Sequence, residues 1–514
     1  MQLNLMEFSK ILNSPDRFIT DEMVPLIKSH GFREYDARWW YGFEGCDQPC
    51  EINLAGMQAL GLALAHMVRL RGIDRSIVVG HDLRCYSQEV KSALIAGLLS
   101  GGAQIYDIGL ALSPIAYFAQ FALNVRSVAM VTASHNENGW TGVKIGCERP
   151  YTFGINDMAE LRAIVLENRA QPASGGSYQF VDTMAARYAE ALTRNHLLKR
   201  RLKVVVACGN GTAGMFAPQI LREIGCEVIE LDCTPDWTFP KYNPDPEAAP
   251  MQRAMVAAVL KTQADLALGF DGDGDRCGIV DNEGSVIFSD RIGLLLAREF
   301  SQSYPRSHFV VDVKSTGLFG NDAVLKANGA TVEYWKTGHS YIKRRLGESG
   351  GLAGFEKSGH VFLAPPLGLG YDDGLATAIA VCKMLASHST LSMAELHRQL
   401  PKTFATPTLG LKSCDSAKYI IIRQIEACLS ALVQAGGMFA GQAVIDLLTI
   451  NGVRITVADG TWGLIRASSN KPELVVVAES PVSSDQLNAM LAALNEVLQK
   501  FEAGKLPEHI EYLS

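Results

Sequence analysis

The stretch SIVVGHDLRCYSQEVKSALIAGLLSGGAQIYDIG, residues 76–109, has a pattern that returns twice further along the chain. It begins with a run of β-branched residues, which predicts a buried strand. A polar turn follows, then an apolar pattern with helical spacing, and then a second strand-like run. Residues 202–232 and 308–338 repeat this order. The sequence therefore predicts three βαβ units, each with two parallel strands and a right-handed crossover.

The three units share their helix ends and begin at intervals typical of domains. Each predicted helix closes with a glycine and a small residue, at Gly102, Gly225 and Gly329, which suits a left-handed C-cap. The units begin 126 and 106 residues apart, a separation that matches the size of a domain. Beyond Pro401, a proline-containing linker is followed by a helix, strand-like runs and a last helix, which predict a smaller α+β domain.

These patterns define the predicted fold class and its boundaries. The fold class is α/β, with three related α/β domains that share a repeated βαβ core and a smaller C-terminal α+β domain. We expect an N-terminal extension without an assigned role over residues 1–30. We place the domains at residues 31–175, 176–290, 291–402 and 403–514.

The composition excludes several classes of protein. Apolar residues make up 48% of the 514 residues and charged residues 20%, as in soluble globular proteins. The net charge of −7 argues against a nucleic-acid or anionic-membrane binder. No apolar run is long enough for a membrane span, and the first residues lack the apolar core of a signal peptide. We therefore expect a cytoplasmic protein, in which the eleven scattered cysteines are free thiols.

A polar loop of unusual composition follows each βαβ unit, and the second one, DGDGDR at residues 271–276, is the most distinctive. Its glycines allow the backbone to curl so that Asp271, Asp273 and Asp275 can converge. Convergent carboxylates repel one another unless a cation binds them, and oxygen ligands suit Mg²⁺. An EF-hand is excluded because Arg276 and Asn282 stand where that loop needs Gly and Glu. The alternative is a solvated acidic turn.

The loop after the first unit, TASHNENGWTGVKIG at residues 132–146, offers a hydroxyl group at a strand end. Ser134 follows the apolar run 128–131 and precedes His135, so it is a candidate nucleophile or phosphate acceptor. Lys144 lies ten residues further on, in another short strand. Ser, His and Asn are also common turn residues, so this loop alone is equally consistent with an ordinary turn.

Two later loops carry side chains suited to a phosphorylated sugar. GFEKSGH at residues 354–360 brings together Glu356, Ser358 and His360, which can bond sugar hydroxyls and carry a proton near neutral pH. GLIRASSNKPEL at residues 463–474 predicts a phosphate cradle in one turn after an apolar strand. Its members are Arg466, Ser468, Ser469, Asn470 and Lys471. A structural histidine and a plain surface turn are the respective alternatives.

One further motif indicates a different class of enzyme. VVVACGNGTAGMF contains G-x-G-x-x-G at Gly209, Gly211 and Gly214, with Glu230 and Asp232 about twenty residues on, as in dinucleotide-binding domains. An NAD(P)-dependent sugar oxidoreductase is therefore the alternative hypothesis. The other two βαβ units lack these glycines, and nicotinamide chemistry gives no reason for the acidic loop.

In this order, TASHN (132–136), DGDGDR (271–276), EKSGH (356–360) and RASSNKP (466–472) resemble the α-D-phosphohexomutase superfamily of phosphomannomutases and phosphoglucomutases. FREYDAR (32–38), GHDLR (80–84), DVKST (312–316) and WKTGHSYIK (335–343) extend the resemblance, which runs from about residue 31 to about residue 480. It implies four domains around a deep central cleft. It also implies interconversion of hexose 6-phosphate and hexose 1-phosphate through a phosphoserine and a hexose 1,6-bisphosphate.

The resemblance implies a role for residues of every loop. Ser134 would be the phosphoserine and a ligand of Mg²⁺, together with Asp271, Asp273 and Asp275. Catalytic work beside Ser134 is implied for Lys144, His360 and Arg276. Contacts with the hexose phosphate are implied for Tyr35, Arg38, His135, Lys314, His339, Glu356, Ser358, His360, Arg466, Ser468, Asn470 and Lys471.

The chain departs from the family pattern at Glu137, Phe355, Ser469 and Asn470. These differences affect individual contacts with the substrate and not the type of reaction. The SGH ending of the sugar loop resembles phosphomannomutases and enzymes that accept both sugars, so we expect mannose to be favoured and glucose to be accepted. The expected partners are a phosphorylated hexose and hexose 1,6-bisphosphate as activator, with no nucleic acid or membrane. We expect a monomer or homodimer that supplies precursors of nucleotide sugars and polysaccharides.

Overall fold

The structure is a computed structural model that describes residues 24–43, 46–194 and 196–507. Most of the predicted N-terminal extension, residues 1–30, lies outside these ranges. Within the described ranges, every helix is too short or too polar to cross a membrane.

The first sheet has six strands in the order β1-β5-β4-β2-β3-β6, of which β4, β2, β3 and β6 are parallel. Its strands are β1 (Ala37–Trp40), β2 (Ser76–His81), β3 (Gln104–Leu110), β4 (Ser127–Val131), β5 (Trp140–Gly146) and β6 (Ser177–Phe180). The helices of this region are α1 (Leu54–Leu70), α2 (Ser87–Ser100), α3 (Ser113–Ala122), α4 (Ile155–Leu166) and α5 (Met184–Thr193). Strand β6 pairs with β3, so this sheet extends past residue 175.

The second sheet has the order β11-β10-β9-β7-β8. Its strands are β7 (Lys203–Ala207), β8 (Glu227–Leu231), β9 (Leu266–Phe270), β10 (Cys277–Asp281) and β11 (Val286–Ile287). The third sheet has the order β13-β12-β14-β15. Its strands are β12 (His308–Asp312), β13 (Thr331–Trp335), β14 (Ala353–Phe355) and β15 (Val361–Leu363).

Several helices flank these two sheets. Those beside the second sheet are α6 (Ala217–Glu223) and α7 (Ala249–Thr262), with a short 3₁₀ helix at Thr212–Met215. Those beside the third are α8 (Ser289–Ser303), α9 (Leu318–Asn321), α10 (Ala323–Ala327), α11 (His339–Ser349), α12 (Gly374–Ser387) and α13 (Met393–Arg398). Gly102, Gly225 and Gly329 have φ values of 82°, 102° and 67°, which confirms the predicted left-handed helix ends.

One strand order recurs in all three sheets, which confirms the predicted repeat. The recurring orders are β3-β2-β4-β5, β8-β7-β9-β10 and β13-β12-β14-β15. In each, three parallel strands are followed by a fourth that turns back antiparallel. The loops TASHN, DGDGDR and EKSGH occupy the same position, in the hairpin between the third and fourth strands. Because ligands gather at the carboxyl ends of parallel strands, this repeat presents three loops for one purpose.

The fourth sheet is antiparallel and carries the predicted phosphate loop in a hairpin. Its strands are β16 (Phe404–Ala405), β17 (Leu409–Lys412), β18 (Met438–Phe439), β19 (Gln442–Leu448), β20 (Val453–Val457), β21 (Trp462–Ala467) and β22 (Glu473–Ser480). The helices α14 (Asp415–Gln434) and α15 (Ser484–Lys500) pack with it. The fold class predicted from the sequence is therefore confirmed, including its α+β C-terminal part.

The apolar cores show how the four sheets are joined. One continuous cluster contains residues of the first, second and third sheets, among them Val128, Leu268 and Phe309. The fourth sheet has a core of its own. It meets the third region through a small apolar cluster that includes Val313 and Trp462. The first three sheets thus share one interior, whereas the fourth meets the third region through this cluster and through buried hydrogen bonds, such as those from Arg454 to the Val313 and Ser315 carbonyls.

Candidate active site

A cavity of about 580 Å³ lies where the loops of all four sheets meet. Its walls contain the side chains that the sequence singled out for catalysis and substrate contact. These are Tyr35, Arg38, Ser134, His135, Lys144, Arg276, Lys314, His339, Glu356, Ser358, His360, Arg466, Ser468, Asn470 and Lys471. The structure thus brings these residues together, although their individual roles stay predictions.

The backbone at Ser134 is held in an unusual conformation. Its φ is 52°, a left-handed value that costs a non-glycine residue roughly 1–3 kcal/mol. The Ser134 N–H donates to Thr132 Oγ1 at 2.9 Å, and Arg84 donates to the Ser134 carbonyl at 3.0 Å. Arg38 donates to Asn136 Oδ1 at 2.7 Å. These bonds fix the loop so that the Ser134 hydroxyl faces the second sheet.

The motif GHDLR (80–84) supports this loop from beneath. The sequence analysis assigned no role to its residues. Asp82 accepts a hydrogen bond from Thr132 Oγ1 at 2.8 Å and pairs with Arg84. Both Asp82 and Arg84 are buried. A carboxylate and a guanidinium that neutralise each other can occupy the interior while they organise the neighbouring backbone. They are therefore positioning residues that the sequence analysis did not assign.

The three aspartates of DGDGDR converge directly below Ser134. All three side chains are fully buried, and their carboxylate oxygens lie within 4.8 Å of one another. The Ser134 hydroxyl donates to Asp271 Oδ2 at 3.0 Å. Gly274 has a φ of 73°, as a curled backbone requires. Gly272 instead allows the backbone of this loop to approach the Ser134 loop closely. A Cβ atom at Gly272 would stand 2.4 Å from the Ser134 carbonyl oxygen.

The Lys144 ammonium lies between two of these carboxylates. Its Nζ is 2.6 Å from Asp273 Oδ2, and it also bonds Asp275. Burial opposes the charge on Lys144, but Asp273 and Asp275 raise its pKa well above the usual value. Burial likewise opposes the charge on Asp273, while Lys144 lowers the pKa of that carboxyl. Asp273 is therefore held in its ionised form beside a cation.

Asp271 differs because Lys144 does not bond it. Burial, followed by the charges of Asp275 and Asp273, raises the pKa of Asp271 well above its usual value. In addition, Asp273 Oδ1 and Asp275 Oδ1 are buried and accept no hydrogen bond within the described chain. Hard cations such as Mg²⁺ prefer such carboxylate oxygens. The donor set therefore fits the metal ion that the sequence predicted here.

The sugar loop faces Ser134 from the third sheet. Its turn is closed by the Glu356 N–H, which donates to the His360 carbonyl at 2.9 Å. Ser358 Oγ donates to Glu356 Oε2 at 3.1 Å, and burial raises the pKa of Glu356. Arg276 Nε donates to His360 Nε2 at 3.0 Å, so the acidic loop and the sugar loop are joined. Hydroxyl, carboxylate and imidazole groups thus line one wall of the cavity.

The phosphate loop lies on the opposite side of the cavity. Ser468 to Lys471 form the turn, but Arg466 belongs to β21 and pairs with Val475. The prediction that Arg466 lies in the turn is therefore wrong, because the antiparallel ladder continues to Ala467. Arg466 donates to Asn451 Oδ1 at 2.8 Å and to Ser469 Oγ at 3.0 Å.

The charges of this loop have no acidic counterpart. Among the residues that the structure describes, no carboxylate lies within 4.0 Å of the Arg466 or Lys471 side-chain nitrogens. Asn470 Nδ2 donates to Tyr35 Oη at 3.2 Å, which connects the loop to the first domain region. A pair of uncompensated cations beside hydroxyl and amide groups is suited to bind a phosphate.

The glycine motif at residues 209–214 serves packing within the chain. Gly209 and Gly211 lie against Pro244, and a Cβ atom at Gly214 would be 2.0 Å from the Cys233 carbonyl oxygen. Thr212 Oγ1 accepts a hydrogen bond from the Leu83 N–H at 3.1 Å, within the GHDLR motif. The turn therefore supports the Ser134 loop from the second sheet.

Three consecutive parts of the chain match one protein family. Residues 29–172 match phosphoglucomutase/phosphomannomutase alpha/beta/alpha domain I, residues 186–284 match domain II and residues 288–404 match domain III. Together these ranges cover more than half of the chain.

The names of similar proteins indicate the same family. The phosphomannomutase/phosphoglucomutase of Pseudomonas putida is 34% identical over 449 residues, which are 87% of this chain and 91% of the relative. The phosphoglucomutase of Neisseria meningitidis serogroup A is 29% identical over 472 residues, 92% of this chain and 96% of that protein. These relatives do not support the alternative hypothesis of an NAD(P)-dependent sugar oxidoreductase.

Solved structures agree with the fold. A phosphoglucomutase/phosphomannomutase family protein from Burkholderia thailandensis is 30% identical and superposes with a TM-score of 0.81, covering 94% of this chain and 100% of that one. A phosphomannomutase-like structure from Thermus thermophilus, at 22% identity, has a TM-score of 0.72 over 91% of this chain and 98% of its own. The second likeness concerns the fold alone.

Proposed function

The chain belongs to the phosphoglucomutase/phosphomannomutase family and is a hexose-phosphate mutase, and we propose how its cleft performs the reaction. The observation that carries the proposal is the placement of two unlike sites across one cavity. Ser134 Oγ bonds Asp271 at one side, and the uncompensated cations Arg466 and Lys471 lie at the other. A hexose with a phosphate at one end and a free hydroxyl at the other suits this pair.

Ser134 carries the phosphoryl group in the active enzyme. In the first half of the cycle, the bond between phosphorus and Ser134 Oγ breaks while a bond forms to the free hydroxyl of the hexose phosphate. The proton of that hydroxyl passes to a nearby base, and the product is a hexose 1,6-bisphosphate. After this intermediate turns around, its other phosphate returns to Ser134 and the isomeric monophosphate leaves. The atoms balance without any further reactant.

Asp271, Asp273 and Asp275, with a phosphoserine oxygen, would hold Mg²⁺. The ion would supply positive charge that offsets the charge of the transferring group. Lys144, already ion-paired with two of the aspartates, adds a second positive charge at the same place. In such a site the protein contributes mainly positioning and electrostatic stabilisation.

His360 is the base for the sugar hydroxyl, with Lys144 and Arg276 beside the transferring group. Imidazole changes its charge near neutral pH and can take up and return a proton within one cycle. His360 is buried in the cavity wall and is next to Glu356 and Ser358, which bond the sugar hydroxyls. The imidazole is therefore close to the place where the reacting hydroxyl must lie.

The remaining wall residues hold the substrate in either of its two orientations. Arg466, Ser468, Asn470 and Lys471 bind the phosphate that is not being transferred. Arg38, His135, Lys314, His339 and Tyr35 complete the walls. Because the same cradle must accept the 1-phosphate and the 6-phosphate in turn, it uses flexible cations and hydroxyls that recognise any phosphate.

Mannose and glucose phosphates are both substrates, and mannose is favoured. The SGH ending of the sugar loop and the double name of the Pseudomonas relative support this choice. The test is a coupled assay with mannose 1-phosphate and glucose 1-phosphate, started with a trace of the matching 1,6-bisphosphate. We expect turnover of both sugars and a higher kcat/KM for mannose 1-phosphate. Activity with only one sugar would overturn the dual specificity, and Ser134→Ala is the inactive control.

Several predictions accompany this proposal. The enzyme is a cytoplasmic monomer or homodimer, hexose 1,6-bisphosphate is its activator, and its domains divide at the boundaries given above, except that the first domain extends through β6 to residue 180. Sedimentation of the purified protein distinguishes monomer from dimer.

A further inference from the structure

A buried chain of charges lies directly behind His360. His360 Nδ1 is 3.0 Å from Asp372 Oδ2, and Asp372 Oδ1 is 3.0 Å from Lys343 Nζ. The Asp372 and Lys343 side chains are completely buried. Neither residue lines the cavity, so neither can touch the substrate directly. Lys343 belongs to the WKTGHSYIK stretch, but the sequence analysis assigned no role to Lys343 or to Asp372.

The hydrogen bond at one side of the imidazole determines which nitrogen carries the proton. Arg276 Nε donates to His360 Nε2 at 3.0 Å. A guanidinium can only donate, so Nε2 must present its lone pair. The proton of a neutral imidazole is then on Nδ1, which faces the Asp372 carboxylate. Arg276 therefore selects this tautomer, and Asp372 Oδ2 lies 3.0 Å from the Nδ1 atom that carries the proton.

Lys343 accounts for the presence of a carboxylate at this depth. An isolated buried carboxylate is costly, and the Lys343 ammonium is the cation that compensates Asp372. The ammonium also lies 4.2 Å from the centre of the Tyr117 ring, whose electron-rich face attracts cations. Burial opposes the charge on Asp372, but Lys343 and His360 lower the pKa of that carboxyl well below its usual value.

The three residues come from separate elements, so the fold fixes their arrangement. His360 ends the sugar loop before β15, and Lys343 lies within α11. Asp372 precedes α12 and forms a β-bridge with Phe362. The ligand atoms of Asp275, His360 and Asp372 also lie within 4.8 Å of one another, as in metal clusters. Here, however, the Lys343 ammonium already supplies the positive charge beside Asp372.

We propose that Asp372, held by Lys343, is a positioning residue for phosphoryl transfer. It orients the His360 imidazole and keeps the proton on Nδ1, so that the Nε2 lone pair points at the cavity. When the sugar binds, its hydroxyl replaces Arg276 as the donor to Nε2. This inference rests on the proposed role of His360 as the base in the same site.

Steady-state kinetics of three variants test the proposal. In Asp372→Asn, the amide can offer a donor to the imidazole and so loses the selection of one tautomer. We expect kcat to fall by roughly 10²-fold, the scale of a misplaced general base, while KM changes less than about threefold. Lys343→Met should lower kcat less, by roughly three- to tenfold. Asp373→Asn is the matched control, because Asp373 bonds Tyr188 and Ala376 and does not contact His360.

Nitrogen-15 NMR of the histidine rings gives a second measurement, made on the wild-type enzyme, that does not depend on the stability of Asp372→Asn or Lys343→Met. With signals assigned through His360→Gln, we expect the wild-type His360 to be protonated at Nδ1. An Nε2-protonated ring in the wild-type enzyme would overturn the proposal.

The outcomes separate this inference from the function on which it rests. If His360→Gln has wild-type kcat, the proposed role of His360 fails. If His360→Gln is impaired but Asp372→Asn matches the Asp373→Asn control, only the positioning role fails. A rise of KM in Asp372→Asn with unchanged kcat would also contradict the positioning role.

Discussion

At the Ser134 side of the cleft, three buried carboxylates have a lysine between them, whereas at the Arg466 side the cations have no acidic partner. Lys144 bonds Asp273 and Asp275, and none of these side chains has more than a few per cent of its surface exposed. Arg466 instead bonds the Asn451 amide and the Ser469 hydroxyl, and Lys471 lines the cavity. The Ser134 side thus contains its own ion pairs, whereas the proposed phosphate would supply the negative charge that the Arg466 side lacks.

The difference matches what each side must do. Phosphoryl transfer needs charges that are fixed in advance, because reorganisation during the reaction would add to the barrier. The cradle must release one phosphate and accept another at each turnover. Its sheet is joined to the third region by a small apolar cluster at Val313 and Trp462, while the other three sheets share one core. Because the cradle belongs to a region with a separate core, we expect it to be the side that opens.

The largest effect should come from removing the Ser134 hydroxyl at the Ser134 side of the cleft. Ser134→Ala eliminates the atom that carries the phosphoryl group, so turnover should fall by roughly 10⁴-fold or more, as for other enzymes that lose their nucleophile. Intact-mass measurement and peptide mapping of the wild-type enzyme should place one phosphoryl group on Ser134. Full activity of Ser134→Ala, with the phosphate on another residue, would show that the transfer side has been misplaced.

The metal site should give the next largest effect. Asp273→Asn removes one charge from the triad, and kcat should fall by roughly 10²- to 10³-fold, with weaker activation by Mg²⁺ in a titration. Incubation with EDTA should abolish the activity of the wild-type enzyme, and added Mg²⁺ should restore it. Glu283→Gln, which replaces an exposed acid paired with Arg398, is the control and should keep wild-type activity. Unchanged turnover in EDTA would exclude the metal role.

At the cationic side the effect should be smaller and should appear in KM. Arg466 holds a phosphate that stays charged in both the ground state and the transition state, so its loss weakens both equally. A charge-assisted pair contributes about 1.5–3 kcal/mol, so Arg466→Ala should raise KM roughly ten- to a hundredfold. Arg466→Lys should recover part of this, because the charge returns without the planar fork.

Lys144→Ala makes the comparison between the two sides direct. Because Lys144 lies at the transfer side, its loss should lower kcat and leave KM nearly constant. If Arg466→Ala lowered kcat alone, or Lys144→Ala raised KM alone, the assignment of the two sides would be reversed.

The sequence predicted those parts of the site that are contiguous. Asp271, Asp273 and Asp275 lie within five residues, and the unusual composition of their loop at a strand end was sufficient to indicate a cation site. The triple repeat was also accessible, because each βαβ unit contains its own apolar periodicity. The resemblance to a family then connected four loops that lie far apart in the chain.

The supporting residues could not be found in this way. Asp82 and Arg84 act on a loop some fifty residues away. Asp372 meets Lys343 because Asp372 is bridged to Phe362, which packs against α11. In the sequence these are ordinary polar residues. The adjacent acids Asp372 and Asp373 before an apolar run did give a signal, since Asp is a common helix N-cap. Only the structure distinguishes the N-cap, Asp373, from the residue that faces His360.

These two neighbouring acids repeat the comparison on a smaller scale and give the last prediction. Asp372 faces a lysine, whereas Asp373 accepts hydrogen bonds from the uncharged Tyr188 hydroxyl and the Ala376 N–H. Burial raises the pKa of Asp373 to about 6 from 3.8. The folded state therefore binds the proton more tightly than the unfolded state. Stability falls as pH rises through the interval from about 4 to 6, by roughly 2–3 kcal/mol in total.

Asp373→Asn keeps an oxygen for the N-cap but cannot ionise. Below pH 4 the aspartate is protonated in both states, so the variant should have no advantage from this source. Above pH 6 the wild-type protein must bury a charge that the variant lacks, and the melting temperature of Asp373→Asn should exceed that of the wild type by a few degrees. Thermal melts at pH 5 and pH 8 measure this, and the difference should grow with pH. A constant difference, or one that shrinks towards pH 8, would mean that Asp373 is compensated as Asp372 is.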